Sequence, residues 1–435
     1  MAGTSRKILG QIIRLSKSIA LHEPIAKKGF KSEFIARIPG LELIGTGPRV
    51  ALWKTEGSFE AIKNIARMIR VYHAEAKDCD SKTIEDLTIK TIEDLVLEES
   101  IFRSDCILTS SQRCLVDYHV DQDINKFANK IYSQLMSKVR TSINHWCNVI
   151  GVPRVICNSF DIPQANISLI SRMDTKKWEE VVSTKYETSK WSHLLGCFPD
   201  SGGIQLFGFE CRPLVVHQAY GTQKGTQFSS RLEFATFFAV LYATVAVQED
   251  KSLFRASAYP YNQCIQFPSL SSSGLRITQS ALDPVFPFFG ADFQLSHYAV
   301  ETIQNWYLSL ANLPNARRSR VEKACHFVNR GMMTFGLNSY LNFFISLDAL
   351  YGEAREVEAS IQRGIESLPS DISLKERVSW LYDLRNELVH GGSRFCAEWS
   401  DYDRYYLHFR TKPEEDIKRI SCIALLQSVV SSGII

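Results

Sequence analysis

The chain has 435 residues, 45% hydrophobic and 22% charged, with a net charge of +3. These values fit a globular protein with two or three domains and exclude a low-complexity, collagenous or wholly disordered chain. The near balance of charge excludes a broad basic surface, so any nucleic-acid contact is expected to be local.

In chain order, residues 41–53 hold Gly45, Gly47 and Pro48 and read as two short strands about a turn. Ser58 is placed to cap a helix running to about residue 77, with Ile62, Ile65, Ile69 and Tyr72 on one side. The run Lys-Thr-Ile-Glu-Asp-Leu occurs twice, from Lys82 and from Lys90. That offset is close to two helical turns, which predicts one amphipathic helix rather than a repeat architecture. Residues 101–120 alternate weakly, as a strand does, and residues 121–150 predict one long helix. Residues 155–173 and 204–217 read as strands, with a helix over 178–191 between them. Pro213 argues that the second of these strands is at an edge or bulged. Residues 220–227 form a polar loop without a phosphate-cradling glycine pattern. Residues 230–247 predict a buried helix whose apolar run, from Phe234, is too short to span a bilayer. Residues 256–292 read as irregular, and a domain boundary is expected there.

From residue 291 the spacing becomes helical throughout. Helices are expected over 295–313, 317–333, 337–351, 356–368, 374–390 and 414–432, with a short turn over 401–409. Short loops between successive helices imply antiparallel neighbours. The predicted fold is therefore an α+β region over residues 1–290 followed by an all-α antiparallel helical bundle over 291–435. That bundle carries 16 Lys and Arg against 18 Asp and Glu. Its best local patch for RNA is the face with Arg317, Arg318, Arg320 and Lys323, which reads equally as a solvated surface. The eleven cysteines show no Cys-x-x-Cys and no zinc spacing. They are expected to be reduced, buried thiols of a cytoplasmic protein, and no cofactor or metal site is expected.

The stretch richest in chemistry is Leu381-Tyr382-Asp383-Leu384-Arg385-Asn386-Glu387-Leu388-Val389-His390-Gly391-Gly392. The two glycines supply the conformations of a helix C-cap. Asn386 and His390 are four apart and share a face. Arg385 lies about 140° round from His390, at roughly 100° per residue, within reach of a long side chain. Arg forks onto phosphate oxygens and His moves protons near neutral pH. The spacing alone decides little, because Arg140/His145, Arg212/His217 and Arg320/His326 repeat it. Read without context, Arg385 pairs equally well with Asp383 or Glu387, and His390 with helix-end carbonyls.

Context adds to this. The stretch follows "YLNFFISLDALYG" (residues 340–352) and "REVEASIQRGIESL" (residues 355–368). In that order the last third of the chain resembles the HEPN superfamily, particularly its Apea-like branch, whose mark is an Arg, usually followed by Asn, then a His near a helix end. The resemblance implies a HEPN-like bundle and metal-independent endoribonuclease activity, with Arg385, Asn386 and His390 catalytic and the site shared across a homodimer. It also implies a supporting role for Asp348, since the family often has an acidic residue in that helix; the alternative is a residue paired within the bundle. Arg394, just past the glycines, is placed either for substrate contact or as an exposed loop arginine. Members that have lost catalysis serve in binding or dimerisation, so a non-catalytic interaction protein is the other expectation. Residues 1–290 are then expected to bind a trigger or regulator of an antiviral-defence or toxin-like effector.

Overall fold

In the computed structural model the described residues are 2–20, 30–37, 49–98, 114–119, 124–152, 155–171, 173–186, 195–198, 203–206, 213–248, 254–258, 263–270, 279–281, 287–289, 293–368 and 373–430. The chain forms two compact units, Met1–Asn144 with Tyr220–Thr226, and His145–Ala219 with Gln227–Ile435. The weak strand expected over 101–120 lies largely outside the described residues; of it, Leu115–His119 is a short 3-10 helix.

The first unit contains α1 (Ala2–Lys17), a small sheet of β1 (Ile19–Ala20), β2 (Phe30–Arg37) and β3 (Arg49–Thr55) in the order β1-β3-β2, then α2 (Glu56–Tyr72), α3 (Ser81–Glu98) and α4 (Ile124–Ser142). Its core joins Ile12 and Leu15, Ile65 and Ile69, Ile92 and Leu95, and Ile131 and Leu135, each pair from one of the four helices. Ser58 lies one turn inside the helix it was expected to cap, where its hydroxyl accepts a bond from the Thr55 amide at 3.0 Å. The doubled hexapeptide forms the single helix α3, as its offset predicts. Arg140 donates to Glu75 at 3.0 and 2.8 Å, an ion pair near the helix ends.

The helix expected to run to residue 150 stops at Ser142, and Asn144–Gly151 is a strand, β4. Trp146 and Ile150 mimic helical spacing, yet residues 146–150 are buried without a break. A central strand covered on both faces reads in this way. The second unit's six-stranded sheet has the order β13-β12-β4-β10-β7-β6, comprising β6 (Phe160–Ile162), β7 (Ile167–Ile170), β10 (Leu214–Gly221), β12 (Gln263–Pro268) and β13 (Gln279–Ala281). Small two-stranded sheets pair β5 (Val155–Ile156) with β15 (Phe293–Gln294), β8 (Leu195–Phe198) with β9 (Gly203–Leu206), and β11 (Phe254–Ala258) with β14 (Pro287–Phe289). Residues 256–292, expected to be irregular, thus contribute strands to two sheets. Pro213 precedes an interior strand rather than an edge strand. Its carbonyl accepts from the Val152 amide at 2.8 Å, and its missing N–H falls before the ladder begins.

Side chains alternate between the sheet's two faces. Cys147, Val149, Val216 and Phe267 meet Trp178 and Val182 on one face. Ile150, Leu169 and Val215 belong to a larger core with Phe234 and Phe238 of α5 (Gln223–Gln248). By length and composition alone, Gln223–Val247 is the one helix among the described residues able to cross a membrane, but 72% of its apolar window is buried in the protein. The buried helix expected over 230–247 is present and begins two turns earlier, at Gln223.

The remaining helices are α6 (His297–Ala311), α7 (Asn315–Met333), α8 (Gly336–Tyr351), α9 (Val357–Glu366), α10 (Ser373–His390), α11 (Tyr402–Phe409) and α12 (Pro413–Gln427). The fold class is borne out in this coarser form, a mixed α/β region followed by helices. The expected division into 1–290 and 291–435 is corrected: Ile303, Phe343, Leu384 and Leu425 share one continuous core with α5 and the sheet, and the compact units divide after Asn144.

Candidate active site

Helix α10 carries the Arg385–His390 stretch, and its burial explains its placement. Val378, Leu381, Leu384 and Leu388 form a buried stripe at helical spacing. Tyr340 donates its hydroxyl to the Leu381 carbonyl at 2.5 Å, tying α8 to the middle of α10. Nearer the start of the helix, Arg377 makes an ion pair with Asp416, whose carboxylate also accepts from Tyr405 at 2.7 Å and from Thr411 at 2.6 Å. Trp380 packs edge-on against Trp399 and Phe409 and stacks on His408, 6.1 Å between centroids.

The other end of α10 closes on the glycines. Gly391 has φ +86°, a left-handed conformation that costs an L side chain energy and glycine little. The amides of Gly392 and Ser393 both donate to the Glu387 carbonyl, at 2.9 and 3.3 Å. A bond from the second residue past the helix to the carbonyl five residues back is the Schellman closure. It fixes the direction in which the chain leaves His390.

The three sequence-predicted catalytic residues all lie on this last stretch. His390 is exposed, and among the described residues its side chain makes no hydrogen bond or ion pair. Arg385 is half-buried; it donates to the Asn386 side-chain oxygen at 3.0 Å and lies 5.9 Å from the centre of the Tyr382 ring. Asn386 therefore faces the guanidinium rather than the imidazole. The arrangement offers an imidazole open to solvent and, within two turns, a cation whose orientation is set by a neighbouring amide.

The supporting residues are not joined to this group. Asp348 is exposed near the end of α8, its carboxylate against Gly352, where an added Cβ would lie 1.9 Å from its oxygen. Among the described residues it bonds to none of Arg385, Asn386 and His390. Arg394 is 85% exposed and is held by Glu398, through its amide at 2.7 Å and its guanidinium at 3.2 Å. That backbone bond, with the charge of Arg394, holds the Glu398 carboxyl below its usual range.

The basic face of α7 is largely occupied by structural contacts. Arg317 donates to the Ser428 carbonyl at 3.0 Å, Arg318 pairs with Glu322 at 2.7 Å, and Arg320 donates to the carbonyls of Ala349 and Gly352 at 3.0 and 2.8 Å. Among the described residues Lys323 alone of the four has no such partner. No group of three or more His, Cys, Asp or Glu side chains suited to a metal ion occurs among the described residues.

Sequence reading missed two polar groupings. His217 Nδ1 lies 2.7 Å from the Ser230 hydroxyl, and burial pushes that imidazole down to about 4. Enclosure excludes substrate from this pair, since both residues are buried. The second grouping is a cavity holding Glu233, Tyr307 and His326. No family model, curated protein or solved structure matches the chain.

Proposed function

We propose that the chain is a metal-independent endoribonuclease of HEPN type, working in the cytoplasm as an antiviral-defence or toxin-like effector. The observation that carries this reading is the exposed imidazole of His390 at a capped helix end, without a hydrogen-bonding or ionic partner among the described residues, with Arg385 oriented by Asn386 on the same stretch. RNA brings its own nucleophile. A base takes the proton of the 2′-OH as that oxygen bonds to phosphorus; an acid gives a proton to the 5′-oxygen as its bond to phosphorus breaks. The products are a 2′,3′-cyclic phosphate and a 5′-hydroxyl. His390 serves as acid or base, and Arg385 stabilises charge on the phosphorane oxygens.

One helix supplies one imidazole, and the reaction uses both an acid and a base. A homodimer pairing the ends of two α10 helices about a two-fold axis provides the second. Val389 and Phe395, 46% and 62% exposed, give this end apolar surface for self-association to cover. The N-terminal region then binds the trigger or regulator. A second reading, a non-catalytic HEPN-like dimerisation and interaction protein, is favoured by the contacts of Arg385, which are to Asn386 and Tyr382.

The deciding experiment incubates purified protein with a mixed RNA pool in EDTA, with wild type, His390→Ala and a heterodimer of the two. Cleavage by wild type alone, with most activity lost in the heterodimer, supports the composite site. A heterodimer at half activity replaces it with one self-sufficient site per chain. Dimerisation without cleavage supports the second reading.

A further inference from the structure

Within the second unit, α5, α6, α7 and the turn Pro163–Ala165 line a partly open cavity of about 460 Å³. Small-molecule sites typically span roughly 300–1,000 Å³. No residue proposed for catalysis lines it. Ala165, Ala235 and Leu310 give it apolar walls.

Its polar groups are incompletely satisfied. Tyr307 is 2% exposed and its hydroxyl has no hydrogen-bond partner, whereas buried hydroxyls are nearly always paired. Among the described residues the Glu233 side chain makes no hydrogen bond or ion pair. Burial, reinforced by Glu322 and opposed by Arg318, pushes its carboxyl up to about 7, so near neutrality it both donates and accepts. Lys323 and His326 lie one turn apart on α7, both line the cavity, and neither side chain has a hydrogen-bonding or ionic partner among the described residues. Burial, then Arg330 and Arg231, hold the His326 imidazole below its usual value, which leaves it a neutral donor beside the Lys323 ammonium.

These groups sort by chemistry. The α7 side offers a cation and a ring N–H, suited to an acidic group. The carboxyl of Glu233 and the hydroxyl of Tyr307 suit the donor-and-acceptor edge of a heterocycle. The alanine and leucine walls suit the flat body between. We propose that the cavity binds a small organic anion of mononucleotide size, its acidic group on Lys323 and His326 and its ring edge on Glu233 and Tyr307. This site is separate from the α10 end, and its occupancy is read by binding, with no dependence on RNA cleavage.

Titration calorimetry on the full chain with AMP, GMP, CMP and UMP tests it, with inorganic phosphate and adenosine as the two halves of a ligand. At least one nucleotide is expected to bind saturably, with one site per chain. Losing one charge-assisted contact weakens binding roughly tenfold, so Lys323→Ala and Glu233→Ala should each do so. Lys323 is exposed, so its substitution leaves the core intact. Arg385→Ala, on α10, should leave this affinity unchanged. The proposal is overturned if none of the four nucleotides binds up to millimolar concentration, if affinity is the same in both cavity variants, if phosphate alone binds as tightly as the nucleotide, or if Arg385→Ala abolishes binding.

Discussion

The two ends of α10 carry the same residue types to opposite purposes. Near its start Arg377 is nearly enclosed and forms, with Asp416, Tyr405 and Thr411, a network that fixes α10 to α11 and α12. Two turns later Arg385 has, among the described residues, one side-chain hydrogen-bond partner, its own neighbour Asn386. Trp380 stacks on His408 near the first end, while the His390 side chain at the other makes no hydrogen bond, ion pair or ring contact among the described residues. A buried polar group left without its partner is costly, so polar groups in a core are matched there. Groups left available at a rigid, capped end carry that availability into solvent, where a substrate can use it.

The sharpest way to test this contrast is to remove each group in turn. His390→Ala should lower RNA cleavage by about 10²- to 10⁴-fold, and Arg385→Ala by roughly 10²- to 10³-fold. Both should stay within about 0.5 kcal/mol of wild type in urea unfolding, as surface changes do. Full cleavage by either variant would remove that residue from the mechanism. Asp416→Ala should do the reverse, destabilising the protein by about 3–5 kcal/mol, because it leaves Arg377 buried and unpaired. An unfolding midpoint unchanged from wild type would show that the network does not hold α10.

The buried His217, bonded to Ser230, belongs with the matched groups, and acid should reveal it. Burial holds His217 at about 4 in the folded chain, below the ordinary 6.5 it regains on unfolding. Above pH 6.5 both states are neutral there and stability does not depend on it. As pH falls from 6.5 to 4 the unfolded chain takes up a proton that the folded chain refuses, and about 3 kcal/mol of stability is lost. Urea unfolding at several pH values should show this slope in wild type and lose one proton's share of it in His217→Gln. Identical slopes would place the acid sensitivity elsewhere. Gly391→Ala is the mildest change, costing about 1–2 kcal/mol for a side chain forced into the left-handed region. No loss in thermal unfolding would mean that the helix end relaxes to another closure.

Much of the helical half was legible because each helix buries one stripe, and both the stripe and the stop lie in local sequence. The spacing of Val378, Leu381, Leu384 and Leu388 and the two glycines defined α10 to its last residue. The strand β4 was not legible, because a strand buried on both faces loses the alternation that marks one. The domain division failed for a related reason: strands from 254–289 pair across long sequence separations, which local composition does not register. At the site, sequence placed Arg385, Asn386 and His390 together but not the turn of Asn386 toward Arg385. It also left the arginines of α7 looking available, when three of them reach distant carbonyls or a neighbouring carboxylate. The cavity had no local signal, since Glu233, Tyr307 and Lys323 come from three separate helices.

Arg320 reaches from α7 to the carbonyls of Ala349 and Gly352, the ones left open where α8 ends. Most helix ends fray by themselves, on a scale far below global unfolding. This one opens only when a guanidinium from the preceding helix lets go. Amide hydrogens of the last turn, residues 350–352, should therefore exchange with deuterated solvent as slowly as those in the middle of α8. Arg320→Ala should release them to exchange quickly while the middle of the helix keeps its protection.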